Sequence, residues 1–243
     1  MTAAKPPVGR SGRPPEVQSG SAGSEIEAFL AKARAMTPAT GAGRGRLVFA
    51  MDATMSRQPT WDRALNIQAE MFFETARIGG LDVQLVYFRG FRECQASRWV
   101  SDPEGLARLM TKVNCRGGNT QIGRVLTHVL KESKAGKVSA VVYVGDCMEE
   151  EVDALCRKAG EIGLLGTPVF MFQEGFEPVA EQAFREIARL TGGAYCRFDS
   201  ASARQLRDLL SAVAVYAAGG RPALADYSRA GGSGARLLLE QMG

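Results

Sequence analysis

Leu47-Val48-Phe49-Ala50-Met51-Asp52-Ala53-Thr54-Met55-Ser56 is the stretch on which the reading of the chain turns. Its first five residues are all apolar and show no alternation. A strand covered on both faces has this character. The apolar run stops at Asp52, and a carboxylate and two hydroxyls then follow at alternate positions. Asp, Thr and Ser are ordinary turn residues, so the segment reads as a buried strand running into a loop. Such a loop can also turn all three oxygens toward one point, and hard cations such as Mg²⁺ take oxygen ligands in near-octahedral array.

Outward from this strand, residues 46–218 alternate between two periods. Residues 60–78 read as a helix, and Leu81 to Phe88 as a second strand after the stop at Gly79-Gly80. Arg92 to Val100 is more polar and suits a strand near an edge. Asp102-Pro103 opens a short helix with Asp as cap and Pro in its first position. Ile122, Val125, Leu126, Val129 and Leu130 mark another helix at 3/4 spacing. Three further strands are expected at 138–144, 167–172 and 194–198. Helices lie between them, and a closing helix carries Leu206, Leu209, Leu210 and Val213 inward. Strands alternating with helices specify a doubly wound, Rossmann-like α/β domain: a mostly parallel six-stranded sheet flanked by helices on both faces.

Ligands of such sheets bind beyond the C-terminal ends of the strands. Two more loops there carry chemistry. Arg116-Gly117-Gly118-Asn119-Thr120 directly precedes the helix of Ile122. Thr120 can cap that helix or offer its hydroxyl to a cation. Val141-Val142-Tyr143-Val144-Gly145-Asp146 is an apolar strand with a carboxylate at its tip. Asp146 is expected as N-cap of a helix beginning near Glu149, with Glu149, Glu150 and Glu151 favouring the positive end of that helix.

Asp52-x-Thr54-x-Ser56 after the first strand, Gly117-Gly118-Asn119-Thr120 before a middle helix and Asp146 after the next central strand together resemble the metal-ion-dependent adhesion site of von Willebrand factor A domains. The resemblance covers roughly residues 46–218. It implies that Thr54, Ser56 and Thr120 give hydroxyl oxygens to Mg²⁺ or Mn²⁺, and that Asp52 and Asp146 bind it directly or through its waters. It also implies an open coordination position for a carboxylate of a partner protein, and non-catalytic, adaptor-like work in a cytoplasmic, bacterial-type assembly, often beside an AAA+ ATPase. Two positions depart from the family pattern: Thr54 stands where Ser is common, and Cys147 where glycine often follows the last Asp.

Composition sets the remaining bounds. The chain of 243 residues has 45% hydrophobic and 23% charged residues, as a soluble globular domain does. The formal net charge of +4 is partly carried by Lys5, Arg10 and Arg13 near the start. No Lys/Arg stripe interleaved with aromatics points to nucleic acid, and no apolar run approaches the ~20 residues of a membrane span. The start, Met-Thr-Ala-Ala-Lys-Pro-Pro, does not read as a secretory signal. A cytoplasmic location is therefore expected, with Cys94, Cys115, Cys147, Cys156 and Cys196 as buried free thiols.

Two other readings remain. A haloacid-dehalogenase-like phosphatase also begins with a strand ending in Asp, here Asp52, and Gly145-Asp146 with Glu150 resembles its late acidic motif. Position 54 then lacks the usual general acid, and Lys131, Lys134 and Lys137 look like a solvated helix end. The third reading is the same interaction fold with a vestigial metal site. His128, the sole histidine, is expected in solvent, which leaves no Ser-His-Asp triad. Residues 1–23 are expected as a disordered tail, 24–45 as a short capped helix and linker, and 219–243 as a flexible C-terminal tail.

Overall fold

The computed structural model describes residues 1–2, 44–199 and 202–242. The tail and short helix expected before residue 44 lie outside this range. Six strands form one sheet in the order β3-β2-β1-β4-β5-β6. They are β1 (Gly45–Asp52), β2 (Leu81–Arg89), β3 (Glu93–Val100), β4 (Ala140–Gly145), β5 (Val169–Glu174) and β6 (Tyr195–Phe198). All neighbours run parallel except β2 and β3. β1 is central, and its register places Met51 opposite Tyr87 of β2 and Val144 of β4.

The unbroken apolar run of β1 follows from burial on both sides. Leu47, Phe49 and Met51 enter one core, and the alternate residues Val48 and Ala50 enter the other. The first core is closed by α1 (Gln58–Ile67), α2 (Ala69–Thr75), α3 (Pro103–Met110) and α7 (Ala203–Arg229). The second is closed by α4 (Ile122–Ala135), α5 (Val152–Leu164) and α6 (Pro178–Thr191). The doubly wound arrangement expected from the sequence is the arrangement observed.

Four details differ. The helix expected over 60–78 starts earlier, with Pro59 in its first turn, and divides into α1 and α2 at Gln68. The helix expected near Glu149 begins at Val152, with Glu151 rather than Asp146 at its N-cap. His128 is half-buried, its Nε2 lying 2.8 Å from Gln84 Oε1, and desolvation pushes its pKa down. Of the five free cysteines, Cys115 and Cys196 are buried while Cys94, Cys147 and Cys156 are half-buried.

The segment expected as a flexible tail is helical. α7 runs on to Arg229 across a break at Gly220, whose φ of +70° suits glycine. α8 (Ser233–Gln241) then folds back on it. Leu224, Ala235 and Leu238 are fully buried in the first core. α8 also covers the outer edge of β6: the Tyr195 N–H donates to Gln241 Oε1 at 2.9 Å, and Gln241 Nε2 lies 3.9 Å from Cys196 Sγ. No helix among the described residues is long and apolar enough to cross a membrane.

Candidate metal centre

The chain leaves β1 toward β2 on one side and returns as β4 on the other. The crevice at the C-terminal ends of β1 and β4 is therefore the switch point of the sheet, where ligands of such folds bind. Asp52 ends β1, and Asp146 follows Gly145 at the end of β4.

Asp52 is 1% exposed. Its Oδ1 accepts from the Thr54 N–H at 2.7 Å, which turns the loop back over the strand. A single 3-10 turn (Met55–Arg57) then brings the hydroxyl of Ser56 to 3.4 Å from that of Thr54. Thr54 is buried and Ser56 exposed. The Ala53 N–H continues the ladder to Phe88 O, and the Ala53 carbonyl accepts from Arg116 at 3.0 Å. The glycine-rich loop is thus docked on the first. Gly118 packs so tightly on Gly90 that a Cβ there would lie 2.1 Å from the Gly90 carbonyl oxygen, so the close approach requires glycine.

Thr120 does not cap α4, whose N-cap, Gln121, also offers no side-chain bond to it. The Thr120 hydroxyl instead accepts from the Glu149 N–H at 3.2 Å, and the Thr120 N–H donates to Glu149 Oε2 at 3.3 Å. Glu150 reaches the same helix end, its carboxylate accepting from Ile122 at 2.5 Å and Gly123 at 3.0 Å. Glu150 therefore caps the helix that begins at Ile122, while Glu151 stands at the N-cap position of α5 without a side-chain bond to it. The acidic run after β4 ties the loop of Asp146 to the loop of Thr120.

Three residues outside the sequence-derived set, Arg57, Thr60 and Glu174, gather at the crevice. Arg57 Nε lies 3.3 Å from Asp146 Oδ2, and its Nη1 is bonded to Glu174 at the tip of β5. Thr60, on α1, donates to the same Glu174 oxygen. Glu174 occupies the place on β5 that Asp146 occupies beyond β4, and that position was its only signal in the sequence.

The electrostatics are unbalanced. Burial pushes the Asp52 carboxyl up to about 6; hydrogen bonds from the Thr54 N–H and hydroxyl oppose the rise, and the Asp146 charge adds to it. Asp52 Oδ2, Asp146 Oδ1 and Arg57 Nε are buried without a hydrogen-bond partner, and the buried Tyr143 hydroxyl, packed against Gly145, has none either. Buried polar atoms are usually satisfied, so the unpartnered atoms of Asp52, Asp146 and Arg57 make this crevice a candidate ligand site. The five sequence-derived oxygen donors all emerge at this edge. Asp52, Thr54 and Ser56 are directly linked, Asp146 is coupled to Asp52 by charge, and Thr120 is held to the Asp146 loop through Glu149. No three His, Cys, Asp or Glu side chains cluster as a metal-binding group among the described residues, so an ion here would draw on hydroxyls. That donor set is all oxygen, as Mg²⁺ or Mn²⁺ prefers.

Lys131, Lys134 and Lys137 sit toward the far end of α4 or just beyond it. α4 starts at this edge and runs ~20 Å away from it over its 14 residues. Its far end is tied to the start of β1, where Arg46 donates to Lys137 O and pairs with Glu132.

No family model and no curated protein sequence matches the chain. Its fold matches solved structures of von Willebrand factor A domains. A von Willebrand factor type A protein from Catenulispora acidiphila aligns with a TM-score of 0.59 at 14% identity, over 71% of this chain and 43% of that one. The SpRpn10 VWA domain gives 0.51 at 14% identity, over 69% and 92%. The ArnB paralog VWA2 from Sulfolobus acidocaldarius gives 0.50 at 13% identity, over 70% and 45%. The chain thus spans less than half of the first and third of these proteins, and the likeness is one of fold.

Proposed function

We propose that the chain is a non-catalytic, divalent-metal-dependent protein-binding module of the cytoplasm. Asp52, Thr54, Ser56, Thr120 and Asp146 hold Mg²⁺ or Mn²⁺, and an acidic side chain of a partner protein completes the shell. One observation carries this reading: Asp52 Oδ2 and Asp146 Oδ1 are buried and unpartnered on neighbouring strands. A desolvated carboxylate oxygen with no donor is costly, and a cation bound by these residues would offset that cost. When bound, the ion supplies a Lewis-acidic centre. Hydroxyls outnumber charges among its donors, which leaves it attractive to an incoming carboxylate.

The chain's own residues prepare the place. The Thr54 N–H orients Asp52, the 3-10 turn presents Thr54 and Ser56 together, and Glu149 holds Thr120 beside the loop of Asp146. The partner is a protein offering Asp or Glu on an accessible surface. A component of an AAA+ ATPase assembly fits this description and remains part of the proposal.

Chelator-stripped protein titrated with Mn²⁺, with free Mn²⁺ followed by EPR, tests the reading. One saturable site in the wild type, lost in Asp52→Ala and Thr120→Ala while both variants melt as the wild type does, is expected. Equal binding in all three proteins, or no saturable site, overturns it. Phosphate-ester hydrolysis that disappears in Asp52→Asn would instead favour the phosphatase reading.

A further inference from the structure

Arg57 brings a cation of the protein's own into the crevice. Its side chain is 12% exposed. Asp52, Asp146 and Glu174 share this one guanidinium, and the sharing is lopsided. Glu174, 5% exposed, is bonded by both Arg57 Nη1 and the Thr60 hydroxyl. Nη2 donates to the Ser56 carbonyl at 3.2 Å. Of the Arg57 nitrogens Asp146 meets only Nε, at 3.3 Å and without hydrogen-bond alignment, and the Cys147 thiol beside it also bonds to its side chain. Asp146 Oδ1, like Asp52 Oδ2, has no partner.

A guanidinium anchored at one end and resting unaligned at the other can leave Asp146 without leaving Glu174. Charge-assisted bonds are strong when aligned and bidentate. The Glu174 end is the better made of the two, so the Asp146 end is the one that yields. A divalent ion at Asp52 and Asp146 would sit close to the guanidinium, and like charges at such range in a poorly solvated crevice repel.

We propose that Arg57 and the divalent ion are alternative counter-ions of Asp146. In the metal-free protein the guanidinium pairs with Asp146; with the ion bound it withdraws onto Glu174. The centre therefore carries a built-in competitor for its metal. The inference rests on the metal-binding reading above and adds its regulation: metal affinity is set by how firmly Arg57 holds Asp146.

Mn²⁺ affinity of full-length Arg57→Met, measured against the wild type by the EPR of free Mn²⁺, is the test. Methionine keeps the length and the apolar stem and removes the charge. Tighter binding, by about tenfold or more, is expected. Unchanged or weaker binding in a variant that melts normally overturns the inference while leaving the metal site standing. Absence of Mn²⁺ binding in both proteins overturns the metal reading and this inference together. Should Arg57→Met fail to fold, wild-type crystals soaked in Mn²⁺ decide instead. Anomalous density at Asp52 and Asp146 with Arg57 Nε out of ion-pair reach of Asp146 supports the exchange; density there with that contact intact refutes it.

Discussion

Asp52 is a residue whose burial works against the fold. The buried carboxyl is pushed up to about 6 from an ordinary 3.8. Between those values the folded chain holds a proton that the unfolded chain has released, so the metal-free protein loses stability as pH rises from about 4 through 6. Asp52→Asn removes that loss. In EDTA at neutral pH the variant is expected to be more stable than the wild type by on the order of 2 kcal/mol. The gap should close as pH falls to about 4. Urea titrations at several pH values check this, and a pH-independent difference would contradict it. With Mg²⁺ present the ranking should invert, because only the wild type gains from the ion. Asp52, Thr54 and Ser56 were legible in the sequence because oxygen donors stand at alternate positions right after an apolar run. Arg57 and Glu174 were not. Each reads as an ordinary residue at the end of an element, and their bond joins positions 117 residues apart.

At the scale of elements, Glu150 serves a helix other than the one it precedes. Local sequence puts Glu149, Glu150 and Glu151 just before α5, where negative charge favours a helix start. The N–H groups that Glu150 takes belong to α4, 28 and 27 residues earlier, and no local pattern reveals that. Gln121 gives α4 no cap of its own, so this carboxylate does an N-cap's work from another loop. Glu150→Ala is expected to destabilise the protein by about 1–2 kcal/mol, read as a lower urea midpoint. It should also loosen the Thr120 loop and weaken Mn²⁺ binding. A variant with a lower midpoint and unaltered Mn²⁺ affinity would reduce Glu150 to a helix cap alone. The break between α1 and α2 at Gln68 escaped notice because the flanking residues keep helical periodicity across it.

For the whole molecule, the layered α/β plan was legible because β1 is apolar at every position that two cores require. The C-terminal helices were not, since their Gly- and Ala-rich composition is also that of a linker. What fixes them is tertiary: Leu224, Ala235 and Leu238 are buried to zero exposure, and helical stability comes mostly from packing of this kind. Leu238→Ala is expected to cost about 3 kcal/mol, checked by denaturant unfolding. A cost below about 1 kcal/mol, as for an exposed position, would mean that α8 is not held as described.

The sheet also has unlike ends. At β6 the Gln241 side chain occupies a backbone N–H that a further strand would use. At β3 no further strand pairs among the described residues. An open row of backbone groups is a template for another chain, and α8 takes up one such group at the β6 border. A strand added at that border would first have to displace the Gln241 side chain, so α8 guards the β6 edge against further pairing.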